Sequence, residues 1–223
     1  MRVAAGAIAQ KILGSKVKIR GALIQIGKKK IDEKRWSWNE IENNDFFCPD
    51  KLTVPKWQNY LKKIRKDGSS IGAIIQINVS GVPIGLGEPV FDKVEALLAK
   101  AIMSIPAVKG FEIGSGFKSA ELSGDENADE IRVLKNKISF KSNNSGGSLG
   151  GITSGQDIII KFAVKPTSSI LLQKKTIDID GKNTKIRTKG RHDPCVGIRA
   201  VPIGEAMVAI VLADLLLINK INY

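Results

Sequence analysis

Three segments in the second half of this 223-residue chain concentrate groups able to hold or move charge. Lys165, Pro166, Thr167, Ser168 and Ser169 set a cation, a rigid turn and three hydroxyls side by side. That combination can grip an anion from several directions, and it can equally form a capped turn. Lys189, Gly190, Arg191, His192, Asp193, Pro194 and Cys195 follow, with Arg199 close behind. Arg191 offers a planar fork for a carboxylate or phosphate. Asp193, beside an arginine and a histidine, is a candidate for proton transfer. No serine or cysteine is spaced to make a triad with the single histidine, and Cys195 is a poor nucleophile for the same reason. The third segment, residues 145–155, holds five glycines in eleven residues. Its backbone N–H groups can approach an anion or the edge of a planar ring, or the run can be a flexible connector. It lacks the Gly-Lys-Ser/Thr ending of a phosphate-binding P-loop and the strand–glycines–helix order of a dinucleotide fold.

Composition narrows the partners. The formal charge is +13, which fits either a basic surface or an anionic partner. The cationic runs (Lys28, Lys29 and Lys30; Lys62, Lys63, Arg65 and Lys66; Lys174 and Lys175) are scattered. Aromatic residues are only 5% of the chain, too few for a base-stacking platform, so nucleic acid is not expected as a partner. One histidine and two distant cysteines, Cys48 and Cys195, exclude zinc sites of the usual ligand sets and suit a reducing cytoplasm. No uncharged apolar run reaches the ~18 residues that mark a membrane span. The longest apolar stretch, Ala206 to Ile218, is interrupted by Asp214. The first residues do not follow a signal-peptide plan.

The elements that must position these groups follow from periodicity. Residues 2–13 predict a helix with Val3, Ala4, Ala7, Ile8 and Ile12 on one stripe. Residues 16–26 alternate as a strand, with a bulge at Gly21 and Ala22. Residues 31–51 read as loop with a short helix. Residues 54–67 predict a helix capped by Thr53. Residues 71–79 make the clearest strand, and 91–104 a helix burying Val94, Leu97, Leu98, Ala101 and Ile102, stopped by Pro106. A strand at 108–113 precedes a long polar stretch, 114–155, without regular structure. Strands are expected at 157–164, 175–180 and 183–188, the last two joined at Asp180-Gly181. A helix over 202–220, with Pro202 at its start, closes the chain. Antiparallel pairs mixed with helices predict an α+β fold.

Taken together, the three segments resemble the chorismate synthase family. The glycine run is followed, ten residues past its end, by Lys165-Pro166-Thr167-Ser168-Ser169, and then by Gly-Arg-His-Asp-Pro-Cys-Val-Gly-Ile-Arg-Ala-Val-Pro-Ile from Gly190. Arg-Val-Ala-Ala-Gly-Ala-Ile-Ala from Arg2, Phe47-Cys48-Pro49-Asp50, and Val-Lys-Gly-Phe-Glu-Ile-Gly-Ser-Gly-Phe from Val108 agree with it. The resemblance implies a sandwich of antiparallel sheets flanked by helices, here incomplete, and a homotetramer. It implies a lyase that eliminates phosphate from 5-enolpyruvylshikimate 3-phosphate to give chorismate, with reduced FMN as cofactor, in the shikimate pathway of aromatic amino acid biosynthesis. FMN contacts are implied at Pro106, Ala107, Gly150, Lys165, Pro166, Thr167, Ser168, Ser169 and Arg191. Arg191 would also face substrate, and Asp193 would assist proton movement. Both ligands are anionic, so a basic pocket offsets their repulsion.

The family's front segments, with two histidines and most substrate arginines, have no counterpart here, and Pro106 stands where asparagine is usual. The expectation is one partial chorismate synthase domain over residues 1–223, a truncated product, a piece of a longer protein or one half of a split gene, with weak or no activity alone. It is expected to be cytoplasmic, with no membrane contact. The alternative is a non-catalytic flavin- or anion-binding module.

Overall fold

The computed structural model describes residues 1–134 and 136–222. In chain order the elements are α1 (Arg2–Leu13), β1 (Lys18–Ile26), β2 (Lys29–Lys30), α2 (Trp38–Ile41), α3 (Val54–Lys66), β3 (Ala73–Ser80), α4 (Val94–Met103), β4 (Val108–Ile113), α5 (Gly124–Asn127), β5 (Ile131–Leu134), β6 (Lys137–Phe140), β7 (Ser148–Leu149), β8 (Ile152–Thr153), β9 (Ile158–Val164), β10 (Lys174–Ile177), β11 (Asn183–Ile186) and α6 (Gly197–Asn222). One sheet has five strands in the order β2-β1-β3-β9-β4, and the pairs β5–β6, β7–β8 and β10–β11 form separate ribbons. The ribbon pairs and β1–β2 are antiparallel. The mixture is α+β, as the element order predicts. In β3 and β9 alternate residues are buried, as the period of two requires.

The chain divides into two compact units. The first comprises Met1–Gly21, Gln76–Phe162 and Val201–Tyr223. Its core includes Ile77, Leu98, Ile102, Ile158, Ile160, Phe162 and Leu212. The face of α1 that packs inward is not the predicted stripe. Gly6, Ala9 and Leu13 are buried, while Val3, Ile8 and Ile12 are 48%, 64% and 41% exposed. The reason is close helix approach: a Cβ on Gly6 would lie 2.4 Å from the Ala206 Cβ on α6, so the small-residue face goes in and the branched face stays out. Polar stretch 114–155 is more ordered than expected, since it holds a 3-10 turn (Gly116–Glu121), α5 and two ribbons.

Helix α6 begins at Gly197, five residues before the expected start, and carries Pro202 inside it. By length and composition Gly197–Ile221 is apolar enough to cross a membrane. Val208, Ala209, Leu212 and Leu215 on this helix lie in the core. β1 runs unbroken through Gly21. The glycine is required by space, because a Cβ there would sit 2.7 Å from Val201 Cγ1. The Gly21 N–H donates to Glu205 Oε1 at 2.6 Å.

The second unit comprises Ala22–Ile75 and Ala163–Ala200. Trp57 is fully buried, donates its indole N–H to the Lys29 carbonyl at 3.1 Å and packs near Phe46. Asp50 is also fully buried. Arg35 grips it with Nε at 2.9 Å and Nη2 at 2.7 Å. The N–H groups of Asp32 and Leu52 also donate to it, both at 3.1 Å. Thr53, expected to cap α3 through its side chain, makes no cap bond; its hydroxyl donates to Asp50 instead, at 2.7 Å. The Arg35 bond holds the Asp50 carboxyl far below its ordinary range, against the opposing effect of burial. The β10–β11 ribbon is exposed along both strands. Its connection is wider than the two residues predicted, closing with Asp178 N–H to the Lys182 carbonyl at 2.9 Å.

Candidate functional site: a cationic corner in the second unit

Two of the three sequence segments meet in this unit. β9 ends at Val164, and Lys165, Pro166, Thr167, Ser168 and Ser169 follow it as a polar turn. The second segment, residues 189–195, leads into α6. Residues 68–71, between α3 and β3, tie them together. On one side the Ser70 hydroxyl donates to the Thr167 carbonyl at 2.6 Å, and the Leu171 N–H donates to the Gly68 carbonyl at 2.9 Å. On the other, His192 Nε2 lies 3.2 Å from the Ser69 carbonyl, and the Ile71 N–H donates to the Pro194 carbonyl at 2.8 Å. Because the Ser69 partner is a carbonyl, Nε2 must carry the proton in that bond. Gly72 completes the junction: a Cβ there would lie 2.6 Å from the Val164 carbonyl oxygen, so only glycine lets the two backbones approach.

The corner's chemistry is cationic and open to solvent. Lys165 and Arg191 are exposed. Arg191, His192, Asp193 and Arg199 line a cavity of about 280 Å³. Arg199 Nη2 lies 3.3 Å from Asp193 Oδ1. Cys195 is buried and burial pushes its thiol up, which removes it as a nucleophile. Thr167 Oγ1 is buried and has no hydrogen-bond partner. A buried hydroxyl left unpaired costs free energy, and an oxygen- or nitrogen-rich ligand at this turn would satisfy it. That orphaned hydroxyl, beside a lysine and two further serines, fits a phosphorylated nucleotide such as FMN.

The remaining predicted positions lie in the first unit. Pro106 and Ala107 precede β4, and Ala107 adopts φ 73°, a left-handed conformation rare for a residue with a side chain. Within the glycine run, a Cβ on Gly147 would meet the Asp157 carbonyl oxygen at 2.6 Å. Gly150, by contrast, has open space around its Cβ position at φ 61°. The run is therefore a packed turn with one open glycine. Asp129, which sequence reasoning missed, holds that turn by accepting the N–H groups of Asn144 at 2.7 Å and Ser145 at 2.8 Å. Ser69 and Ser70 were missed too, since nothing in their own sequence marks them.

These features define the chain as an α+β protein with a cationic corner assembled from Lys-Pro-Thr-Ser-Ser and Arg-His-Asp turns. The profile of the chorismate synthase family matches residues 1–217, and the chain belongs to that family. It is 62% identical over 219 residues to a chorismate synthase of Bradyrhizobium sp. (strain BTAi1), covering 98% of this chain and 60% of that protein. It is 56% identical over 214 residues to the Gluconacetobacter diazotrophicus chorismate synthase, covering 96% of this chain and 60% of that one. A crystal structure of a chorismate synthase superposes with a TM-score of 0.81 at 30% identity, over 98% of this chain and 62% of the other. The chain thus spans about 60% of the length of the curated relatives it matches.

Proposed function

We propose that this chain supplies the flavin- and phosphate-binding part of a chorismate synthase, a lyase that eliminates phosphate from 5-enolpyruvylshikimate 3-phosphate to give chorismate. The observation that carries the reading is the junction at residues 68–71, which by four hydrogen bonds ties Thr167 and Leu171, in and just after the Lys165–Ser169 turn, and His192 and Pro194, in and just after the Arg191–Asp193 turn, to one short segment. Lys165, Pro166, Thr167, Ser168, Ser169 and Arg191 would hold FMN; for Pro106, Ala107 and Gly150, in the other unit, that role rests on the resemblance alone. Reduced flavin, when bound, supplies transient electron density with no net change of oxidation state.

The protein's own residues do the remaining work in this reading. The Lys165 ammonium and Arg191 guanidinium offset the charge of two anionic ligands and of the phosphate as it leaves with the C–O bonding pair. Thr167 gains the partner its hydroxyl lacks. Asp193 accepts or relays the proton lost from the ring. His192 stays engaged with Ser69 and orients the turn. Placement in the shikimate pathway, a cytoplasmic setting and assembly as a homotetramer belong to the same proposal, and neither nucleic acid nor membrane is required by it.

The test is an anaerobic assay with reduced FMN and 5-enolpyruvylshikimate 3-phosphate. We expect this chain by itself to turn over slowly, since it carries one histidine and that side chain is committed to Ser69. Supplementing it with the corresponding front segment of a relative should restore chorismate formation. Flavin binding without elimination in the supplemented protein would favour a non-catalytic flavin-binding module. Turnover by the lone chain near that of an intact relative would overturn the assignment of roles.

A further inference from the structure

We infer that Arg199 and Asp193 form an exchangeable pair: Arg199 is a second guanidinium, beside Arg191, that takes an oxyanion of a phosphate- or carboxylate-bearing ligand, and Asp193 occupies it until the ligand arrives. The inference rests on the reading of this corner as an anion site and assigns a ligand group to a residue that reading leaves unused.

Three observations carry it. The cavity of about 280 Å³ is lined by two guanidiniums, one imidazole and one carboxylate, so positive charge is in excess and Asp193 is the one negative group in the lining. The pair is loose. Its single contact is 3.3 Å, with the side chains 65% and 31% exposed. Charge-assisted bonds of this kind close to about 2.7–2.9 Å when they are tight, and exposed pairs contribute little to stability. One long bond leaves most of the donors of Arg199 for a ligand.

The base of Arg199, by contrast, is fixed. It lies in the first turn of α6, where a Cβ on Gly197 would meet Ala73 Cβ at 2.3 Å, Ala200 is buried, and the Ala200 N–H donates to the Val196 carbonyl at 3.2 Å. The backbone is therefore held while the side-chain tip can change partner. A phosphate, with more charge and more acceptor oxygens than a carboxylate, displaces Asp193 from Arg199. The freed carboxylate then sits next to His192 with its lone pairs available, which is the state the proposed proton role needs. Ligand binding and release of the Asp193 carboxylate become one event.

A double-mutant cycle tests this, with inorganic phosphate as the probe and calorimetry as the readout. Arg199→Gln should weaken phosphate binding roughly tenfold, the scale of one charge-assisted hydrogen bond. Asp193→Asn should tighten it by a similar factor, because Arg199 no longer has a competitor. In the double variant that gain should shrink to about threefold or less, since only the general change in charge is left. Equal gains from Asp193→Asn with and without Arg199, or no effect of Arg199→Gln, would overturn the exchange. Thermal melts check folding. If Arg199→Gln melts early, Arg199→Lys replaces it in the cycle, and the Asp193→Asn gain should then persist in reduced form. Titrating the same variants with FMN separates the two ideas: phosphate coupling without flavin binding sinks only the flavin assignment, and flavin binding without coupling sinks only the exchange.

Discussion

Two arginine–aspartate pairs of the second unit, Arg35–Asp50 and Arg199–Asp193, are built for opposite purposes. Arg35 holds Asp50 through two short bonds, and the carboxylate is fully buried and further saturated by Thr53 and two backbone N–H groups. Arg199 touches Asp193 once, at 3.3 Å, with both side chains open to solvent. The residue types are the same. What differs is the number of additional donors and the access of water, which decide whether a pair is a clamp or a contact that a ligand can replace. The clamp organises residues 32–53. The loose pair sits on the cavity lined by Arg191, His192, Asp193 and Arg199.

Breaking the clamp should have the largest effect. Asp50→Ala removes the acceptor shared by Arg35, Thr53 and two backbone N–H groups, while Arg35, 38% exposed, returns partly to water. We expect a loss of about 3 kcal/mol and a melting temperature lower by roughly 10 °C, with phosphate affinity of the remaining native protein little changed. Asp193→Ala should do the reverse, leaving the melt nearly unmoved and tightening phosphate. An Asp193→Ala melt as damaged as that of Asp50→Ala would erase the distinction.

The pH response sharpens it. The carboxyl of Asp50 is held below its ordinary value chiefly by the Arg35 hydrogen bond. Its stabilisation is therefore full above the unfolded carboxyl value, about 4, and is lost as pH falls through the folded value. Urea melts of Asp50→Asn should show less loss of stability on acidification than the unaltered chain.

Glu205, in the first unit, supplies the contrasting case and the smallest effect. Burial raises its pKa, with the Gly21 N–H opposing the shift. Its contribution is full below the unfolded value and is lost as pH rises through the folded one. Glu205→Gln keeps an acceptor for Gly21 and removes the buried charge. It should therefore be the more stable form at neutral pH and lose that advantage at about pH 4 and below. A stability difference that ignores pH would show that burial does not raise the Glu205 pKa.

The strands and the site motifs were legible in the sequence to different degrees. β3 and β9 could be read directly, because alternate residues of both are buried. The α1 stripe misled, since periodicity reports an apolar face but not whether a close neighbour demands Gly6 and Ala9 in its place. The expected start of α6 falls too late, because the helix takes Pro202 into its interior, giving up one intrahelical hydrogen bond, and begins at Gly197. The charged corner was legible as two separate motifs, and the glycine run, which lies in the other unit, as a third. What the sequence could not show was their support: Ser69 and Ser70 act through one backbone carbonyl and one hydroxyl, and Asp129 through two backbone N–H groups, contacts set by the folded path of the chain.

The most direct measurement is an anaerobic titration of this chain and its Thr167→Val variant with reduced FMN, followed by the change in flavin fluorescence. The account predicts saturable binding by the chain and roughly tenfold weaker binding by Thr167→Val, the loss of one buried hydrogen bond to a charged ligand, with the melting temperature unchanged or slightly raised because an unpaired buried hydroxyl has been removed. No saturable binding, or equal affinity in the two proteins, would contradict the claim that the corner at Lys165–Ser169 holds the flavin.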